Sequence, residues 1–193
     1  MMPPTGSPVT CEYQCLLFPP SSMKAFELFA TMPVPLAADI LEFTHSNDRD
    51  LYKAVVEMVA QARKVRPVFL QRQPKSQRFA MMTGTLGRPN VDMAAENLIR
   101  NWLLKKHTPL LESFLNALEI PHEKGVVENL PDTVPDAALQ MAVDQLLESN
   151  PADVVAVYLW AFCQMNETTW ENLDLLLHTD DRLMLTRESH AGS

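Results

Sequence analysis

The sequence predicts an all-α fold: a single domain of about eight or nine helices, packed as a bundle or a short stack of antiparallel helix pairs. Three observations predict it. Apolar residues recur at helical spacing in segment after segment from Met23 onward. Prolines fall repeatedly beside capping residues, as in Thr108-Pro109 and Asn150-Pro151, where a helix start loses nothing by the missing amide hydrogen. Glycine is scarce, five in 193 residues, so few helix interiors carry the residue that weakens them.

A chain of this length suffices for one domain with tails, and such a domain removes about 70% of its unfolded surface from water. Residues 1–22, MMPPTGSPVTCEYQCLLFPPSS, lack the positive leading region of a secretion signal, and Glu12 interrupts their apolar part. They read as a disordered N-terminal tail, with Met23 as the natural start. The helical domain is expected over residues 23–186 and a second disordered tail over 187–193.

Phe26, Leu28 and Phe29 predict a short first helix ended before Pro33. A second runs from about Pro35 to His45, with Leu36, Ile40, Leu41 and Phe43 on its apolar side. Asn47 offers a cap for a long helix from Asp48 to about Val65, with acids in its first turn and Arg63 and Lys64 in its last, as the helix dipole favours. Its core stripe reads Leu51, Val55, Met58, Val59 and Ala62. Pro67 stops it, and Val68, Phe69 and Leu70 read as a short extended or irregular connector. Pro74 opens the next helix, which reaches Met82 and points Phe79, Met82 and Leu86 inward before Gly84 and Gly87 break the chain.

Asn90 begins a helix to Lys106 with an inner face of Ala95, Leu98, Ile99, Trp102 and Leu103. Thr108-Pro109 caps the next, which holds Leu111, Phe114, Leu115 and Leu118 and ends near Pro121. Residues 121–134 are polar with two prolines and read as a surface loop. Pro135 starts a helix to Ser149. After Asn150-Pro151 the following helix is apolar nearly all round, from Val154 to Met165, which marks it as central. Thr168 and Glu171 have capping-box spacing before a last helix bearing Trp170, Leu173, Leu176 and Leu177. Residues 103–118 weakly echo 146–162, so an α-solenoid-like repeat array of helix pairs is the alternative architecture.

The net charge of −8 conceals a dipole along the chain. Residues 63–88 carry seven basic side chains and no acid, whereas residues 107–193 carry three basic and fifteen acidic ones. The moderately acidic total argues against a protein that coats nucleic acid all over. It leaves room for a local patch. Arg66, Arg72, Lys75, Arg78 and Arg88 are the candidate partner-binding residues, because a guanidinium presents a planar fork to carboxylate or phosphate oxygens. Phe69 and Phe79 lie among them, as base stacking would require, although both read as core. Three fates are open to these cations: pairing with the protein's own acidic half, docking an acidic protein or a second copy head to tail, or binding nucleic acid.

Gly84, Gly87 and Arg88 resemble the GXXG loop of KH domains over these few residues alone. That fold also needs a three-stranded sheet, for which no alternating segment exists nearby. A helix end with Gly84 left-handed is the plainer reading. His107 and His178 sit near helix C-termini, where positive charge is favoured. His122 and Glu123 form the least explained pair, able to act only if the fold brings a nucleophile to them. Cys11 and Cys15 lack the second ligand pair of a zinc site, and Cys163 lies on the most apolar helix. No Walker loop, dinucleotide fingerprint, nucleophile elbow or HExxH motif occurs. Neither a cofactor nor a metal is expected, and the function expected is non-enzymatic. An odd count of three cysteines fits a reducing compartment, read as the cytoplasm, and no apolar run approaches the roughly 18 residues of a membrane span.

Overall fold

The computed structural model describes residues 23–168 and 170–187, so the two expected tails, Cys11 and Cys15 lie outside it save for Arg187. The described residues form the predicted all-α domain. In order the helices are α1 (Ala25–Thr31), α2 (Val34–Asn47), α3 (Arg49–Ala62), α4 (Pro67–Gln71), α5 (Lys75–Leu86), α6 (Asp92–Lys106), α7 (Thr108–Ala117), α8 (Asp136–Ser149), α9 (Ala152–Asn166) and α10 (Glu171–Thr179). Short 3-10 turns at Pro89–Val91 and Asp181–Leu183 complete the set. Proline stands at the starts: Pro35, Pro67 and Pro109 occupy first-turn positions, and Pro33, Pro74, Pro135 and Pro151 stand at N-caps. Pro74 therefore precedes α5, and Asn150, expected to cap α9, ends α8 instead, its side chain donating to Leu146 O at 3.0 Å.

Several local expectations are corrected. Residues 68–70 are helical, which makes α4 an additional helix. Pro67 presets its first turn, and the Phe69 and Arg72 amides donate to the carbonyls of Arg66 and Val68. Asp48, not Asn47, caps α3, its carboxylate accepting from the Leu51 amide at 3.1 Å, while the Asn47 side chain donates back to Phe43 O. The buried stripe of α3 is Tyr52, Val55, Val56, Val59 and Ala60, rotated from the predicted one, and Leu51, Met58 and Ala62 are half-buried at its edge. Helix α5 runs through Gly84 to Leu86. Nothing lies within 4 Å of a Cβ built on Gly84, so that residue merely faces solvent while Met82, Thr83, Thr85 and Leu86 around it are buried. At the starts of α7 and α10 the N-caps are His107 and Trp170, without side-chain caps. The Thr108 hydroxyl instead donates to Leu104 O, and the Thr168 hydroxyl accepts from the Trp170 amide at 3.5 Å.

Helices α3, α7 and α9 end on residues that glycine usually supplies. Lys64, Glu119 and Glu167 have φ of 56, 56 and 49°, and the amides of Val65, Ile120 and Thr168 close back onto the carbonyls of Ala60, Leu115 and Cys163. A left-handed L-residue costs about 1–2 kcal/mol, tolerated here because each end leads straight into a buried or half-buried residue.

Helix α6 is the hub. It packs against α1, α2, α3, α5, α7 and α9 and buries Ala94, Ala95, Leu98, Ile99, Trp102 and Leu103. Helix α9, with every residue from Val154 to Cys163 buried, packs on α1, α6, α8 and α10. Contacts such as α1 with α6 and α9 join elements far apart in sequence, whereas a solenoid repeat touches only its neighbours. The architecture is therefore a bundle, and the repeat-array alternative does not hold. The α2–α6 contact carries a polar clamp: Asp39 accepts from the fully buried Trp102 through Nε1–H at 2.9 Å and from Lys106 Nζ at 2.6 Å. Asp48 accepts from Lys105 at 2.7 Å, which holds its carboxyl below the usual range.

Two stability outcomes follow from these contacts. Asp39→Ala strips the buried indole N–H of its acceptor and should cost about 1–3 kcal/mol in urea unfolding, while Asp39→Asn, which keeps an acceptor, should cost less. Glu119→Gly should raise stability by about 0.5–1 kcal/mol by relieving the left-handed position, read as a higher thermal midpoint.

Candidate interaction surface

The seven cations of residues 63–88 are distributed by the α3–α4–α5 path. Arg63 caps the end of α3 and reaches Thr85 Oγ1 on α5 at 3.2 Å, so it acts as a strut. Arg66 and Arg72 bracket α4, a helix of five residues and roughly 8 Å. Both are exposed, and neither forms an ion pair among the described residues. Between them Leu70 is wholly buried and anchors the helix, while Val68 and Phe69 remain 45% and 47% exposed. The expectation that both phenylalanines are core is thus corrected for Phe69; Phe79 is buried. The physical reason is brevity. A helix of under two turns buries one side chain and leaves its neighbours outside.

Lys75, in the first turn of α5, pairs with Glu42 of α2 and lies 5.7 Å from the Phe79 ring centroid. Arg78 is half-buried: its Nη1 donates to Gln71 O at 3.2 Å, tying α5 to the end of α4, and its guanidinium lies 5.9 Å from the Phe79 centroid. The nearby Tyr52 hydroxyl donates toward Met82 Sδ at 3.7 Å, and burial raises its pKa. Arg88 is exposed at the far end of α5, about 18 Å along that helix from Lys75. The five candidates therefore do not form one cluster. Arg66 and Arg72 stand together around α4, Lys75 and Arg78 are partly committed within the fold, and Arg88 is separate.

The acidic half does not neutralise these cations among the described residues. Its ion pairs are internal: Arg182 reaches Asp144 at 2.8 Å and Asp180 at 2.6 Å. Arg182 holds the Asp180 carboxyl below its ordinary range. The partner of Lys75 lies on α2, in the N-terminal part of the chain.

The other candidate groups have structural occupations. His122 accepts from the Gly125 amide through Nδ1 at 3.3 Å, which leaves Nε2 to face Asn116 Oδ1 at 3.3 Å. Glu123 and Val126 pair their backbones in a tight turn through Gly125, whose φ of +80° and closeness to Leu111 exclude a Cβ. Burial pushes the Cys163 thiol up to about 12 and keeps it protonated at neutral pH. A groove of about 450 Å³ lies between the starts of α2 and α9 and residues 182–186, and one of about 190 Å³ between α8 and α10. Neither is lined by His122, Glu123 or Cys163. Among the described residues no three His, Cys, Asp or Glu side chains converge as metal ligands, and no helix is long and apolar enough to cross a membrane. No protein-family model matches the chain, and no curated protein or solved structure does so either.

His107 departs from the sequence reading. Its ring lies against Trp102 with centroids 4.2 Å apart, its Nε2 is buried without a partner, and burial, reinforced by the Lys106 charge, lowers its pKa from 6.5. The neutral form is favoured in the folded protein despite the adjoining helix end. The unfolded chain then takes up the proton first as pH falls, so this contribution is complete above about pH 6.5 and is lost below it. His107→Leu should accordingly lose less stability than the parent between about pH 7.5 and about pH 5.5, measured as urea midpoints at the two values.

Proposed function

We propose that the protein is a non-enzymatic interaction module that docks an acidic protein partner on the surface made by α4 and the start of α5. One observation carries the reading: Arg66 and Arg72, exposed and without an ion pair among the described residues, flank half-exposed Val68 and Phe69 on a helix of five residues. Interfaces draw their energy from a few buried aromatic and arginine anchors, and α4 offers both kinds side by side. Lys75, paired with Glu42, stands at the start of α5, and Arg88 lies apart at its far end. Arg78 contributes by holding α4 against α5. Cytoplasmic location belongs to the same proposal, on the cysteine count.

Nucleic acid is the second reading, favoured by Phe69, an exposed aromatic beside two guanidinium groups, which is the composition of a base-stacking platform. The total charge of −8 weighs against it, because the field of the whole molecule repels a polyanion beyond the patch. Labelled poly-L-glutamate and a labelled single-stranded oligonucleotide separate the two in fluorescence anisotropy at about 0.05 M salt. The polypeptide should bind, with affinity falling as salt rises, and Arg66→Glu with Arg72→Glu should weaken it by about tenfold or more. Absence of poly-glutamate binding at low salt overturns the proposal. Tighter binding of the oligonucleotide with loss on Phe69→Ala transfers it to nucleic acid.

A further inference from the structure

The groove between α8 and α10 is the chemical complement of the α4 knob. Its apolar lining is Leu139 of α8 with Leu175 and Leu176 of α10, Leu175 being 63% exposed, and Gln140, Asn172 and Thr179 add neutral polar groups. Its rim is acidic. Asp136 is exposed at the first position of α8 and pairs with no cation among the described residues. One of its oxygens accepts from Asn172 at 2.8 Å. Glu171, next to Asn172 in sequence, is exposed just outside the lining. The volume of about 190 Å³ exceeds the 150 Å³ or so of an engineered apolar cavity that holds one benzene. The groove is therefore of the size of one side chain and not of a helix.

The α4 surface supplies one phenyl ring, Phe69, flanked by two arginines, and the groove supplies an apolar recess with the Asp136 carboxylate on its lining and Glu171 beyond it. The knob lies in the basic stretch and packs on α3, whereas the groove lies in the half that carries fifteen acids. We infer that a second copy of this chain is the occupant. Phe69 of one copy enters the α8–α10 groove of the next, with Arg66 and Arg72 meeting Asp136 and Glu171. This deepens the proposed function by naming the partner, and it rests on that reading.

Such a contact joins two different surfaces and so is heterologous, which yields rings or open chains rather than a symmetric pair. A single aromatic anchor with a charged rim falls in the small, transient class below about 1,200 Å², so exchange is fast and assembly depends on concentration. About 0.1 M salt suits the test, because a screening length near 10 Å hides the repulsion of distant like charges while sparing ion pairs in contact.

Sedimentation of the full chain up to about 1 mM should give an average mass that rises with concentration at about 0.1 M salt and returns toward monomer near 1 M. Phe69→Glu removes the knob and Leu175→Lys blocks the groove with a cation that repels the arginines. Both positions are surface sites whose substitution leaves the fold intact, verified by unchanged circular dichroism, with Val68→Glu as a second knob variant. Each alone should associate more than about tenfold more weakly than the parent. Their equimolar mixture should form a dimer that does not grow, because one member offers only a knob and the other only a groove. A parent that stays monomeric throughout, variants that assemble like the parent, or a mixture that stays monomeric overturns the inference. Poly-glutamate binding by the same monomeric parent would then show that the basic surface docks acids other than its own. Loss of both signals would mean that the proposed function fails with it.

Discussion

A buried indole needs both apolar company and an acceptor for its one N–H, and Trp102 obtains both only where α2 crosses α6. With no exposed surface, its Nε1–H directed at Asp39 and the His107 ring against its face, Trp102 fixes the rotation and height of the two helices together. Lys106 closes on the same carboxylate one turn later, so the charge drawn toward the interior by the indole is neutralised at its edge. Helix α6 is thereby held with its broad apolar face turned inward, and α1, α3, α5, α7 and α9 have one surface on which to pack.

That arrangement explains why the basic stretch ends up outside. The core needs from residues 63–88 only Leu70, Phe79, Met82 and Leu86, with the small Thr83 and Thr85. Everything polar between them must face water or cross short gaps, as Arg63 and Arg78 do when they bind α5 to α3 and α4. The cations with no such gap to cross, Lys64, Arg66, Arg72 and Arg88, are left to solvent, and α4 is too short to turn both Val68 and Phe69 inward. The positive surface results from a chain that changes direction twice in a short span, leaving few positions that the interior can use.

Much of the fold was legible because its signals are local and redundant. Proline and the apolar spacing marked α2, α6, α8 and α9 within a few residues of their bounds, and the all-round apolarity of α9 announced its burial on several sides. What escaped depends on information that no short window holds. The end of α5 was misplaced because Gly84 looked like a breaker, while the tertiary burial of Met82 and Leu86 carries the helix past it. The stops at Lys64, Glu119 and Glu167 carry no glycine signal at all. Helix α4 looked extended because its single anchor, Leu70, gives no periodicity to detect. The candidate surface was half legible: charge found Arg66 and Arg72, but the exposure of Phe69 and the commitment of Arg78 depend on neighbours distant in sequence.

The position of α9 in the chain also bears on how the protein comes to be folded. It covers faces of α1 and α6, yet α6 is complete at Lys106 and α9 only at Asn166, sixty residues later. At synthesis rates of about 5–20 residues per second, those apolar faces wait roughly 3–12 s for their cover. During that interval the faces of α1 and α6 that α9 covers have no cover within the chain already made.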